Sequence, residues 1–338
     1  MTTTFLLGNG FDVCLGLQTK YCQFYKDHYT LLPLDELPPY LVEFRKEIMN
    51  YVNPNNVKKE GDIDWADLEI ALGKNANRVE DKADNYINII LDVNEELKSY
   101  IKKQNDSLVI GEEKATKLIS DFCQPDSLQY LSPQDNSMIR EFKNSFTGKE
   151  TINFVTFNYT ESLERIFALG DTKTPSNSAG TQTTINKIIH IHSHIIDDPA
   201  ILVGVNDPSQ IDNVKFRDNE DVLDVLVKPR TNSMFGNGKN AQTEDLLRTT
   251  NLFVCFGVSM GETDKKWWSL IGNELLNRGN AMLLYFVYDN PAESNPLKIG
   301  SKRRSFVKKF MKAAGLSEGN LQTIRSKTVV AYNTDIFK

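Results

Sequence analysis

Three of the four histidines of this chain stand on alternate positions, His190, His192 and His194, in the segment NKIIHIHSHIIDD. If that segment is a β-strand, the three imidazoles share one face, while Ile189, Ile191, Ser193 and Ile195 take the other. Imidazoles gathered this way fit two chemistries. One histidine can act as a general base near neutral pH, with the others packing against it or orienting it. Alternatively, an HxH pair supplies two ligands of a metal site, which then needs carboxylates from elsewhere in the chain. The general base is the reading carried forward, with no metal expected.

A second set of chemically useful residues stands at strand ends. The opening TTTFLL runs into Gly8, Asn9 and Gly10, the pattern of a buried strand ending in a tight turn that exposes its backbone. Two glycines around one residue leave room for a phosphate or sugar to approach the main chain, and a helix beginning near Phe11 would aim N–H groups at it. The plain alternative is a tight turn. TINFVTFNYTESLE repeats the logic, placing Thr156, Asn158 and Thr160 where a parallel sheet presents its ligands. Asn158 offers one acceptor and two donors for a ribose hydroxyl or a water; the alternative for Asn158 and Thr160 is helix capping. A third strand, Leu252 to Phe256, ends in Gly257, with Ser259, Gly261 and Asp264 in the turn beyond it. From DWADLE onward, Trp65, Leu68 and Leu72 share a helical face as core residues, and Glu69 is the acid that could reach a cleft.

The elements that must position these residues are those of an α/β protein. The fold expected is a Rossmann-like parallel sheet core, residues 1–35 and 147–338, carrying a large, mostly helical insertion at 36–146. TLLPLDELPPYL is a connector, because Pro33, Pro38 and Pro39 interrupt helix. Residues 171–184 are expected to be a polar loop, ILVGVND a short strand, and 208–245 a mobile loop or lid with an amphipathic stretch at 222–227. AMLLYFVYDN and TVVAYNTDIF supply closing strands, and the basic run of KRRSFVKKFMKAAG is read as a solvated helix face.

Composition excludes several classes. With 39 basic and 45 acidic residues in 338, the net charge is −6, and there is no overall positive field to gather nucleic acid. The N-terminus lacks a charged, apolar leader, and no window approaches a membrane span, so a cytoplasmic protein is expected. Cys14, Cys22, Cys123 and Cys255 are scattered without a CxxC pair, which argues against a structural zinc or a disulfide scaffold.

The series GNGFDxxxGLxTxY, WxDLE, FNYTESLE, HIHS and FGVSMGETD resembles the AbiH family of bacterial abortive-infection proteins across nearly the whole chain. More distantly, the same order is similar to the sirtuin-like NAD-binding fold. That resemblance implies an antiphage effector that processes a nucleotide, with NAD as substrate and nicotinamide as the released product. By position it implies Asn158 and His192 in NAD cleavage, Gly8, Asn9 and Gly10 at the pyrophosphate, and Gly257 and Ser259 near the adenosine half. Thr156, Thr160, His190 and Asp264 would complete the nucleotide site, while Asp12 or Glu69 would stabilise positive charge on the ribose. Three departures from the sirtuin pattern argue against lysine deacetylation: the acidic residue after its Asn is lost, Ser193 replaces a glycine, and zinc-binding cysteines are absent. Two alternatives stay open, a metal-dependent nuclease or phosphohydrolase and a non-catalytic nucleotide sensor controlling a partner. A homo-oligomer or a defence-system protein is the partner class implied, and no membrane or nucleic acid is expected.

Overall fold

Six short runs pair into one sheet: β1 (Thr2–Leu7), β2 (Glu150–Thr156), β3 (Thr183–His190), β4 (Leu252–Phe256), β5 (Met282–Val287) and β6 (Thr328–Tyr332). The computed structural model describes residues 1–56, 61–79, 82–172, 182–198, 200–235, 238–288 and 295–338. Every pairing is parallel, and the order is β3-β2-β1-β4-β5-β6. This is the order of doubly wound dinucleotide-binding folds, whose topological switch lies between β1 and β4. The fold is α/β and Rossmann-like, with helical segments inserted between strands.

Alternation along the second half of β1 shows why Phe5, Leu6 and Leu7 are apolar without a break. Leu6 enters a core with Val155, Phe253 and Trp268, to which Ile271 and Phe310 contribute from the helices Lys265–Asn277 and Ile299–Ala314. Its neighbour Phe5 stacks on Phe154 and meets Phe122 edge-on, in an aromatic cluster that includes Phe337. Phe122 comes from the helix Glu112–Cys123. Strands buried on both faces need apolar residues at every position rather than at every second one.

The chain divides into two compact units. Unit 1 takes residues 1–15, 108–191 and 241–338 and holds the whole sheet; unit 2 takes 16–107 and 192–240. The helices Glu112–Cys123 and Pro133–Asn144 therefore belong with the sheet, whereas the sequence grouped them with the insertion. Unit 2 is helical. Its longest helix, Ala83–Ser107, presents Asp92 to Arg45 at 2.5 Å, and Tyr86 stacks on Phe216 with ring centroids 5.2 Å apart. Pro39 opens the helix Pro39–Val52, a position where its missing N–H costs nothing.

Several expectations change. The helices Glu220–Leu226, Lys228–Phe235 and Lys239–Thr249 occupy most of the stretch read as a loop or lid. ILVGVND forms no strand; Val205 makes only an isolated bridge to Val227, and beside it the backbone at Gly204 passes that of Leu226 too closely for a Cβ. Of the polar loop at 171–184, residues 173–181 lie outside those described. Among the described residues, no helix is long and apolar enough to cross a membrane.

Candidate active site at the carboxyl ends of the strands

β1 and β4 are neighbours, so the loops that follow them meet. The Gly8 N–H donates to the Phe256 carbonyl at 3.1 Å, and the Gly10 N–H donates to the Gly257 carbonyl at 3.0 Å. A Cβ on Gly8 would lie 2.6 Å from the Gly257 carbonyl oxygen, and one on Gly10 would lie 2.5 Å from the Gly257 Cα. Gly257 itself has φ 67°, a region that favours glycine. The close approach these glycines permit is therefore made by another stretch of backbone, and two of the loop's N–H groups are engaged within the protein. Asn9 stands exposed at the tip.

The helix Asn9–Cys14 carries Asp12 in its first turn, with only 2% of the residue exposed. Thr160 Oγ1 donates to Asp12, 2.9 Å from each carboxylate oxygen, and Ser162 Oγ donates to Oδ1 at 2.8 Å. Ser162 opens the helix Ser162–Leu169 that follows β2, so the cluster joins two adjacent strand ends. Burial pushes the Asp12 carboxyl up to about 6, against the lowering pull of the Ser162 and Thr160 hydroxyls, the Asn158 side chain and the charge of His190. A carboxyl in that range exchanges its proton near neutral pH, which an ordinary aspartate does not.

His190 ends β3 and ties the third strand to the same place. Its Nδ1 lies 3.0 Å from the Asn158 carbonyl oxygen and its Nε2 2.9 Å from Glu164 Oε1. Each ring nitrogen thus faces an oxygen, which fixes the orientation of the imidazole. Thr156 serves the turn rather than the cluster: its Oγ1 accepts the Asn158 N–H at 3.1 Å, and its carbonyl accepts the Ile191 N–H at 3.0 Å.

Of the residues singled out in the sequence, the structure brings together Asp12, Asn158, Thr160 and His190. Ser259 is exposed, and Asp264 is half-buried at the start of the helix Lys265–Asn277. The three histidines do not share a strand face, because β3 stops at His190 and Ser193 turns the chain with φ 97°. His192 and Glu69 belong to unit 2. There the His192 carbonyl accepts the Leu202 N–H at 3.0 Å, and His194 Nδ1 meets Asp197 Oδ2 at 2.7 Å. Glu69 is buried in an ion pair with Lys228 Nζ at 2.8 Å. Trp65 is not on the helix of Glu69, which begins at Leu68 after the Asp67 side chain accepts the Ile70 N–H at 3.2 Å. Instead, Trp65 donates its indole N–H to Glu47 at 3.1 Å. Sequence reasoning did not single out Ser162 and Glu164. Their signal lay inside FNYTESLE, where Ser162 follows Asn158 by four residues and Glu164 follows Thr160 by four.

The family model described as bacteriophage abortive infection AbiH matches residues 4–286, which takes in the strand ends of β1 to β4 and the whole Asp12 cluster. The chain belongs to the AbiH family. A role in phage abortive infection goes with that membership. A search of curated proteins found no match. As an AbiH protein, the chain carries at its strand ends a buried carboxyl, two hydroxyls, an amide and a histidine–carboxylate pair, all drawn from within the matched segment.

Proposed function

We propose that this AbiH protein acts in abortive infection as a nucleotide-processing enzyme that cleaves NAD at the nicotinamide–ribose bond. The observation that carries the reading is Asp12, a buried carboxyl with a pKa of about 6 at the carboxyl end of a parallel sheet. Cleavage of an N-glycosidic bond passes through an oxocarbenium-like state, and a carboxylate held out of water stabilises that charge strongly. In this assignment ionised Asp12 faces the developing ribose cation. The Asn158 amide orients a ribose hydroxyl or the attacking water, and His190, braced by Glu164, fixes the loop that carries Asn158. The base role implied for His192 rests on the sequence resemblance and is tested by its own variant.

A second reading, a nucleotide sensor without turnover, is favoured by the closure of the same cluster. Asp12 already accepts hydroxyl donors on both oxygens, and Asn158 and Thr160 are buried.

The test is incubation of purified protein with NAD, following nicotinamide and ADP-ribose by chromatography, with and without chelator. Nicotinamide release that survives chelator and falls by about 10²- to 10⁴-fold in Asp12→Asn, Asn158→Ala and His192→Ala supports the assignment. Saturable NAD binding without release moves the assignment to the sensor. Release that Asp12→Asn and Asn158→Ala leave unchanged sinks the proposed site.

A further inference from the structure

Unit 2 holds a cavity of about 320 Å³ within its own residues. That volume lies at the lower end of the range, about 300–1,000 Å³, of pockets that take small organic ligands. Its walls are largely apolar, formed by Leu91 on the helix Ala83–Ser107, by Ile201 to Val203, and by Val225 and Leu226.

The charged groups lining it are neutralised in pairs. Lys228 Nζ meets Glu69 at 2.8 Å, Lys239 Nζ meets Asp198 at 2.6 Å, and Asp224 pairs with Arg230. A charged ligand entering such a space would lose hydration and gain no unbalanced countercharge. The occupant is therefore uncharged.

The uncharged polar side chains of the wall include Asn94 and Asn232, and Asn94 offers an acceptor. Asn94 lines the cavity, its Nδ2 donates to the Ile90 carbonyl at 2.8 Å, and its Oδ1 is buried with no hydrogen-bond partner. The bond to Ile90 fixes the orientation of the amide, since the opposite orientation would set two oxygens against each other. An orphaned buried acceptor costs about 1–3 kcal/mol, which a donor on a ligand would recover. The wall also contains Ser193, a non-glycine residue at φ 97°, a strained conformation of the kind that persists at ligand sites.

The geometry points to this cavity as a binding site for an uncharged, mostly apolar heterocycle of nucleobase size that carries an N–H donor for Asn94 Oδ1. The inference is independent of the NAD reading: it concerns binding within unit 2 and uses no residue of the Asp12 cluster.

The experiment is calorimetric titration of the whole chain with two bases of that size. 9-Methyladenine has an exocyclic amine; 9-methylpurine is the same molecule with hydrogen in its place. 9-Methyladenine is expected to bind about tenfold more tightly, the worth of one net hydrogen bond. Asn94→Leu should bring the two affinities together, and Val203→Trp should abolish binding of both by filling the space. Leu91→Trp, at a position 45% exposed, provides the same test where folding is not at stake. Asp12→Asn should leave these affinities unchanged. The inference is overturned if neither base binds, if the two bind equally to the unaltered protein, or if both tryptophan variants bind as it does. 9-Methyladenine binding that is lost in Asp12→Asn but kept in Leu91→Trp likewise overturns it.

Discussion

The Thr160 hydroxyl donates to both carboxylate oxygens of Asp12 at 2.9 Å, tying the helix after β1 to the loop after β2 across 148 residues of sequence. Asp12 is fully buried, and its environment works in two directions. Burial disfavours its charge, while the surrounding hydroxyls and the amide favour it, and burial wins by enough to leave the carboxyl near 6. A group tuned this way is costly for the fold, so its role can be tested through stability as well as through activity.

Asp12→Asn should stabilise the protein above pH 6. The folded pKa of about 6 exceeds the ordinary aspartate value of 3.8, so the folded state holds its proton more tightly than the unfolded chain does. Stability is therefore lost as pH rises from 4 to 6 and stays lost above it, a difference of at most about 3 kcal/mol. The asparagine variant escapes that cost. Denaturant unfolding at pH 8 should show it more stable by about 1–3 kcal/mol, with the gain vanishing by about pH 4. A variant less stable than the parent at pH 8 would show that the ionised carboxylate holds the cluster together.

Thr160→Val removes a donor to the ionised form and keeps the shape of the side chain. The Asp12 pKa should rise further, by about one pH unit, and Ser162→Ala should act in the same direction. Carboxyl carbon chemical shifts followed by NMR against pH read this directly. An unchanged midpoint in both variants would mean that the two hydroxyls do not tune the carboxyl.

The middle of the sheet was legible because β1, β2 and β4 each close on an apolar run followed by Gly8, Asn158 or Gly257, and buried parallel strands have few other ways to look. The cluster was half legible. Asn158 and Thr160 were picked out as polar residues at a strand end, His190 as one of three alternating histidines and Asp12 through the family resemblance, whereas Ser162 and Glu164 looked like ordinary residues of a helix's first turn. Alternation misled for the histidines, because a period of two marks a strand only while the chain stays extended, and Ser193 at φ 97° ends that. Helix periodicity could not say what Phe122 packs against; that partner, Phe154, is remote in sequence. The helix Glu220–Leu226 buries only Val222, Leu223 and Leu226, too narrow a stripe to stand out in a polar stretch.

Gly257→Ala tests whether the glycines of the strand ends exist for packing. A methyl there would lie 2.6 Å from the Phe11 nitrogen, on a residue at φ 67°. Gly16 is the control, at φ 93° with nothing within 4 Å of where a Cβ would stand. Both alanine variants carry the backbone cost of about 1–2 kcal/mol, and only Gly257→Ala adds a backbone clash, so its unfolding free energy should fall by about 2–4 kcal/mol. Equal losses at the two positions would mean that the loops after β1 and β4 separate without penalty.

The pair Glu69–Lys228 separates a structural role for Glu69 from the charge-stabilising role expected of it. Both side chains are 8% exposed and lie 2.8 Å apart within unit 2. Removing one partner strands the other charge away from water, so Lys228→Met alone should destabilise the protein by about 3–5 kcal/mol. Replacing both, as Glu69→Leu with Lys228→Met, removes the stranded charge along with the pair, and stability should return to within about 1 kcal/mol of the parent. The double variant then decides the role of Glu69, because it folds. Nicotinamide release retained in it leaves Glu69 a structural ion-pair partner, and release lost from a protein of parental stability makes Glu69 part of the chemistry.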